Sequence, residues 1–159
     1  MPYNYIEDLI LENTRIIHRN FEGRAGKYTR EGDRGFSAVI DPSIVQSVID
    51  AGWNVRELPP REDVEGSEPL YFIPVRVNLD GNRPPRICLA TRTGLVELDA
   101  ESLKTLDSAE IVSCDMTLHA HRWGDETKGG VKAYLKNLYV KIQEDPLADK
   151  YERYYNGEQ

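Results

Sequence analysis

Two stretches near the C-terminal end alternate with period two, each for a dozen residues or more. Over 110–123, Val112, Cys114, Met116, Leu118 and Ala120 form an apolar face, with Ser113, Asp115, Thr117, His119, His121 and Trp123 opposite. Over 131–142, Val131, Ala133 and Leu135 face one way until the phase slips and Leu138, Val140 and Ile142 take the inward role. That slip predicts a bulge near Lys136-Asn137. The outward set is Lys132, Tyr134, Lys136, Tyr139 and Lys141. Successive side chains of a strand point to opposite faces, so this pattern commits the chain to paired strands with one buried face. Leu70–Leu79 repeats it, with Tyr71, Ile73, Val75, Val77 and Leu79 inward and Phe72, Pro74, Arg76 and Asn78 outward. Pro74 cannot donate to a ladder and predicts an edge position or a bulge.

The remaining segments fit around these strands. Ile6, Leu9 and Ile10 stand at helical spacing, and Asn13–Phe21 reads as a strand. Residues 22–35 carry four glycines and many charges, the composition of a long surface loop, which in a compact domain is usually functional or mobile. After the short strand 36–40, Asp41-Pro42 supplies an N-cap and a first-turn proline. Ile44, Val45, Val48 and Ile49 then share one helical face until Gly52 stops it. Trp53–Leu58, Arg86–Thr91 and Leu95–Leu98 read as extended, and Asp99 caps a short helix carrying Leu103 and Leu106. The fold class is therefore mainly β with one or two short helices, as in small barrels and sandwiches.

A chain of 159 residues supports one domain with a real core. No run of about 18 apolar residues is present, so no spanning helix is expected. The first residues show no basic region followed by an apolar stretch, so no secretory signal is expected. Two cysteines without a CxxC, Cys88 and Cys114, favour a reducing compartment over a disulfide framework.

The net charge of −7 conceals segregation. Residues 13–34, 83–92 and 119–141 each sum to +3, whereas 57–68 sum to −4. Basic windows of this kind give a local positive field if the fold brings them together.

Catalytic motifs fail on inspection. Gly23-x-x-Gly26-Lys27 lacks both the upstream glycine and the hydroxyl residue of a phosphate loop, since Phe21 and Tyr28 stand there. No GxSxG, HExxH or dinucleotide fingerprint occurs. His119 and His121 with Asp115 could seed a metal site, but two imidazoles on a strand are too few to specify one. Cys114 belongs to the apolar face, the place of a packed core thiol. No cofactor, metal or enzymatic activity is expected.

What remains suits a flexible polyanion. A single-stranded nucleic acid needs cations that track phosphates and flat rings on which bases stack. The outward face of the last strand alternates the two, and Trp123, His119, His121 and Arg122 extend it. The long loop adds Arg24, Lys27, Tyr28, Arg30 and Arg34 beside Phe21 and Phe36. Each aromatic alone is better explained as a surface-packed ring with a wet tip. The repeated pairing is what points to nucleic acid.

The segments NFEGRAGKYTREGDRGF (20–36), VID (48–50), GWNVREL (52–58), NRPPRICLATRTG (82–94), LVELD (95–99) and GGVKAYLKNLYVKI (129–142) resemble a family of bacteriophage single-stranded DNA-binding proteins. The resemblance runs through about residues 13–143. It implies an OB-like, partly open antiparallel barrel that binds single strands without sequence preference during phage DNA replication and recombination, in the cytoplasm of the infected bacterial host. OB-folds bind along strands 2–3 and the adjoining loops, which corresponds here to loop 22–35 and the 124–130 connection. The expected phosphate contacts are Arg24, Lys27, Arg30, Arg34, Lys132 and Lys136, and the expected stacking rings are Tyr28, Trp123 and Tyr134. The expected organisation is one domain over 1–143, with 1–12 as an N-terminal extension, and a mildly acidic tail, 144–159. Proteins of this class often end in a strongly acidic segment that recruits replication and recombination proteins; this tail departs from that pattern in being only mildly acidic, and homodimerisation is left open. The alternative is an interaction module whose basic loop docks an acidic protein and binds no nucleic acid.

Overall fold

The computed structural model describes residues 5–27, 29–124, 129–144 and 147. Among these residues nine strands are arranged in one sheet: β1 (Leu9–Thr14), β2 (Ile16–Asn20), β3 (Arg34–Ile40), β4 (Arg56–Leu58), β5 (Leu70–Val77), β6 (Arg86–Thr91), β7 (Gly94–Glu97), β8 (Ile111–Gly124) and β9 (Gly129–Ile142). The main path runs β1-β8-β9-β5-β3-β2, with β4 beside β5 and the β6–β7 hairpin beside β9. Its two ends, β1 and β2, are consecutive in the chain and meet at Arg15, whose carbonyl accepts the Val39 N–H at 2.9 Å. Among the described residues no ladder joins β1 to β2, so the barrel stays partly open there. No helix among them is long and apolar enough to cross a membrane.

Three expectations change at the N-terminal end. The spacing of Ile6, Leu9 and Ile10 is not helical in origin. Leu9 and Leu11 pair with Leu118 and Met116 of β8, while Ile10 points outward at 67% exposure. Residues 9–12, expected as an extension, therefore belong to the sheet. The single strand expected over Asn13–Phe21 is instead broken at Arg15. Asn13 and His18 both adopt positive φ (51° and 53°), which lets the chain turn from one sheet edge to the other.

The expected bulge in β9 is present. Thr117 faces Asn137 and Leu118 faces Leu135, so Lys136 has no partner across β8. Its physical cause lies on the other edge of β9. There Ala133 and Tyr134 run beside Val75 and Arg76 of β5, and Asn137–Lys141 run beside Arg86–Ala90 of β6. The bulge is where β9 exchanges one neighbour for the next. Both pairings are parallel, so the sheet is mixed where only antiparallel ladders were expected.

The core follows the alternation. Phe36, Ala38, Ile40, Ile73, Val75, Val77, Cys114, Met116, Leu118, Ala133, Leu135, Leu138 and Val140 are buried, whereas Val112 is 53% exposed and leaves the apolar face assigned to it. Phe21 and Phe36 stack with centroids 5.3 Å apart. Burial pushes the Cys114 thiol up to about 12, so it stays a protonated packing group. Asp41 caps a 3₁₀ turn (Pro42–Ile44) by accepting the Ser43 N–H at 2.9 Å, and α1 (Val45–Asp50) continues from it. Val48 is its buried residue, while Ile44 and Ile49 stay exposed. Asp99 accepts the Ser102 N–H at 2.8 Å ahead of a second 3₁₀ helix (Leu103–Asp107), which buries Leu103 and Leu106.

That second 3₁₀ helix fixes the root of the basic loop. The Arg19 guanidinium donates to the carbonyls of Leu106 and Ala109 at 2.8 and 2.7 Å. The Asp107 carboxylate accepts the N–H groups of Phe21 and Glu22 at 2.7 and 3.0 Å. The loop thus starts from a rigid base although its tip is exposed.

Candidate nucleic-acid interface

The outward sides of β8, β9, β5, β3 and β2 form one face of the sheet. Cross-strand register sets Trp123 opposite Gly130, His121 opposite Lys132, and His119 opposite Tyr134. Tyr134 in turn lies beside Arg76, Arg76 opposite Gly35, and Pro74 opposite Ser37. Side chains that share a face at neighbouring register positions are within mutual reach. His121 meets the Tyr134 ring edge-on at 5.7 Å, and the Lys132 ammonium stands 5.6 Å from the Trp123 ring centroid. The indole lies across Gly130, where an added Cβ would sit 3.3 Å from its Nε1. At 48% exposure the ring keeps a large open surface.

Two hollows on this face share Arg76. One, of about 320 Å³, lies between β4 and β9 and is bordered by Arg56, Arg76, Trp123 and Lys132. The other, of about 420 Å³, runs on toward β2 past Tyr134, Arg34 and His18, with Asp33 and Asp80 also on its rim. Arg76 borders both, so a guanidinium stands between the two hollows. Among the described residues Arg56 and Arg76 form no ion pair with a carboxylate.

The residues singled out from sequence are distributed unevenly. Trp123, Lys132 and Tyr134 meet on this face, and Arg34 borders its far end while its Nε donates to the Phe21 carbonyl at 3.0 Å. Lys136 is held elsewhere. Its ammonium is 2.9 Å from one oxygen of Asp8, whose other oxygen meets His119 Nδ1 at 2.9 Å. Those two hydrogen bonds, from His119 first and then Lys136, draw the Asp8 carboxyl below the usual range. Arg24 pairs with Glu22 at 3.6 Å on the exposed loop, where Lys27 and Arg30 are also exposed. None of these three borders either hollow. Tyr28 lies outside the described residues, as do 125–128 of the 124–130 connection and 145–146 and 148–159 of the tail. Asp115, weighed with the two histidines as a metal seed, accepts the Asn13 N–H at 2.8 Å.

Sequence reasoning missed Arg56, Arg76, Phe72 and His18. Arg76 and Phe72 stood in the outward set of Leu70–Leu79, but no cation–aromatic repeat marked them. His18 shares a 3.1 Å hydrogen bond with the Ser37 hydroxyl and sets its ring edge-on to Phe72 at 5.4 Å. Nothing in its own segment foretold that neighbour.

Comparison with known proteins bears on this face. The family described as "Putative phage ssDNA-binding domain" matches residues 1–156. No curated protein matches the sequence. Among solved structures, the C-terminally truncated single-stranded DNA-binding protein from bacteriophage Enc34 aligns with a TM-score of 0.56 at 12% identity, over 87% of each chain. The same protein in complex with ssDNA gives 0.53 at 12%, over 87% of this chain and 88% of that one. A further structure of it gives 0.51 at 12%, over 91% and 89%. At that identity the likeness is one of fold.

Proposed function

Because the chain belongs to the phage ssDNA-binding domain family, we propose that it binds single-stranded DNA without sequence preference along the groove on its outward sheet face. The observation that carries this reading is the run Trp123, Lys132, Tyr134 and Arg76 across three neighbouring strands, rings and cations alternating beside two hollows that share Arg76. Stacking on rings is tolerant of sequence because every base has a π-face, and the cations meet phosphates. The chain acts by coating the strand, without catalysis, in phage replication and recombination. Arg24, Lys27, Tyr28 and Arg30 serve as outer contacts from the loop, Arg34 closes the far end, and Lys136 joins once freed from Asp8. The acidic tail over 144–159 is the segment that recruits replication proteins to a domain over 1–143.

The test is a titration followed by Trp and Tyr fluorescence, with single-stranded and duplex DNA at two salt concentrations. Quenching is expected with the single strand and much less with the duplex. If Arg34, Arg56, Arg76 and Lys132 each neutralise one phosphate, log K should fall against log salt with a slope of about −3, at ~0.7 per phosphate on single strands. No response to either DNA overturns this reading and leaves the protein-docking module.

Asp8 supplies a second prediction. Its carboxylate competes with phosphate for Lys136 and His119. Asp8→Asn is therefore expected to tighten single-strand binding about threefold, the scale of one exposed ion pair, as read by anisotropy at low salt. Its depressed carboxyl also sets a sign for stability. The pairing contributes above the ordinary carboxylate range and is lost only as pH falls through the lowered folded value. The wild-type advantage in melting temperature over Asp8→Asn should accordingly persist above the carboxylate range and vanish in strong acid. Unchanged DNA binding by Asp8→Asn would show that Lys136 and His119 take no part.

A further inference from the structure

Resting on that reading, we propose that the hollow between β4 and β9 is a slot that takes one nucleobase of the bound strand, edge first, through a gap in the barrel wall. The gap has a covalent origin. Along its second edge β5 pairs with β4 through Leu70–Phe72 and with β9 at Val75 and Arg76, which leaves Ile73 and Pro74 between the two partners. Proline has no N–H to strand without a partner, so an interrupted ladder costs least at such a position. The wall opens there into a hollow of about 320 Å³, at the small end of the ~300–1,000 Å³ typical of small-ligand sites.

The lining is matched to a flat ring borne on an anionic backbone. Trp53, 4% exposed, and the buried Ile73 and Ala133 give the apolar depth. Arg56, Arg76 and Lys132 stand at the border, and among the described residues none that lines the slot is acidic, whereas Asp33 and Asp80 line the neighbouring hollow. A base entering between Asn54 and Val131 would leave its two flanking phosphates to the three cations, with Trp123 beside the entrance for the next base.

The test uses the full chain with the slot narrowed by flexible, uncharged, non-aromatic side chains, Asn54→Met with Val131→Met. Asn54 is exposed and Val131 half-buried, so folding is preserved; a melting curve checks it. Two end-labelled strands of equal length are compared by anisotropy, oligothymidine and an abasic strand of sugar and phosphate alone. The wild type should prefer oligothymidine. The double variant should lose about tenfold on oligothymidine, the lower range of one stacked base, and nothing on the abasic strand. Equal losses on both strands, or none on either, overturn the slot while single-strand binding stands. A wild type that binds neither strand removes the functional reading and the slot together.

Discussion

Trp123→Ala combined with Tyr134→Ala is expected to weaken single-strand binding at least about thirtyfold while hardly changing the melting temperature. Each ring sits on the outward face, Trp123 across Gly130 and Tyr134 beside Arg76, and neither is buried. Their contribution to folding is correspondingly small. The contact of Lys132 with the indole is worth ~0.5–1 kcal/mol at an exposed site, and the edge-on contact of His121 with Tyr134 is of similar order. A stacked base is worth ~1–3 kcal/mol. Two lost stacks at the lower bound remove about 2 kcal/mol, which is about thirtyfold in Kd. Anisotropy with oligothymidine, beside a thermal melt of the same preparation, separates the two effects. If affinity is unchanged, the strand runs over loop 22–33 and not across the sheet. A large fall in melting temperature would instead mean that the rings hold the β8–β9 pair together.

What could be read in the sequence was what a strand writes locally. The inward and outward sets of β5, β8 and β9 follow from period two, because each residue's face depends only on its neighbours in the chain. The bulge at Lys136 was legible for the same reason, since a phase slip must be absorbed within the strand that carries it. Caps at Asp41 and Asp99 are likewise local. The groove was only half legible. Trp123, Lys132 and Tyr134 stood out because two long strands repeat the cation–ring pairing. Arg76 became part of the same face only when β5 docked in parallel against β9, a pairing between segments far apart in sequence. Arg56 entered through the short β4 at the far side of the wall gap. Lys136 went the other way. Its outward position was read correctly, but Asp8, 128 positions away, occupies it. A charge alternation shows which residues can reach solvent; it does not show which of them already has a partner. The N-terminal strand failed for a related reason. Leu9 and Leu11 with Ile10 between them are too short a run to separate period two from helical spacing.

Gly35→Ala is the substitution expected to damage the fold most directly, and through it the groove. Gly35 pairs with Arg76, and a Cβ built on it would lie 2.6 Å from the Val75 carbonyl oxygen. The obstacle is backbone, so no rotamer change relieves it, and β3 must move away from β5. Glycine inside a strand is otherwise unfavourable, which fits a position where two backbones approach closely. Overpacking of this kind costs ~1–3 kcal/mol, or about 2–12 °C in melting temperature at ~2–4 °C per kcal/mol for a domain near this size. Gly81→Ala is the control. Its Cβ would meet only the Asn78 side chain, at 3.2 Å, in a solvent-exposed turn. The loss should extend to binding measured well below the melting transition, because moving β3 displaces the strand that supports Arg76 opposite Gly35. A melting temperature equal to that of Gly81→Ala would mean that β3 and β5 tolerate a wider separation than the 2.6 Å approach allows. Unchanged stability with reduced affinity would mean that the strands part without cost and Arg76 alone is displaced. Only the joint loss fits a groove whose central guanidinium is positioned by the β3–β5 ladder beneath it.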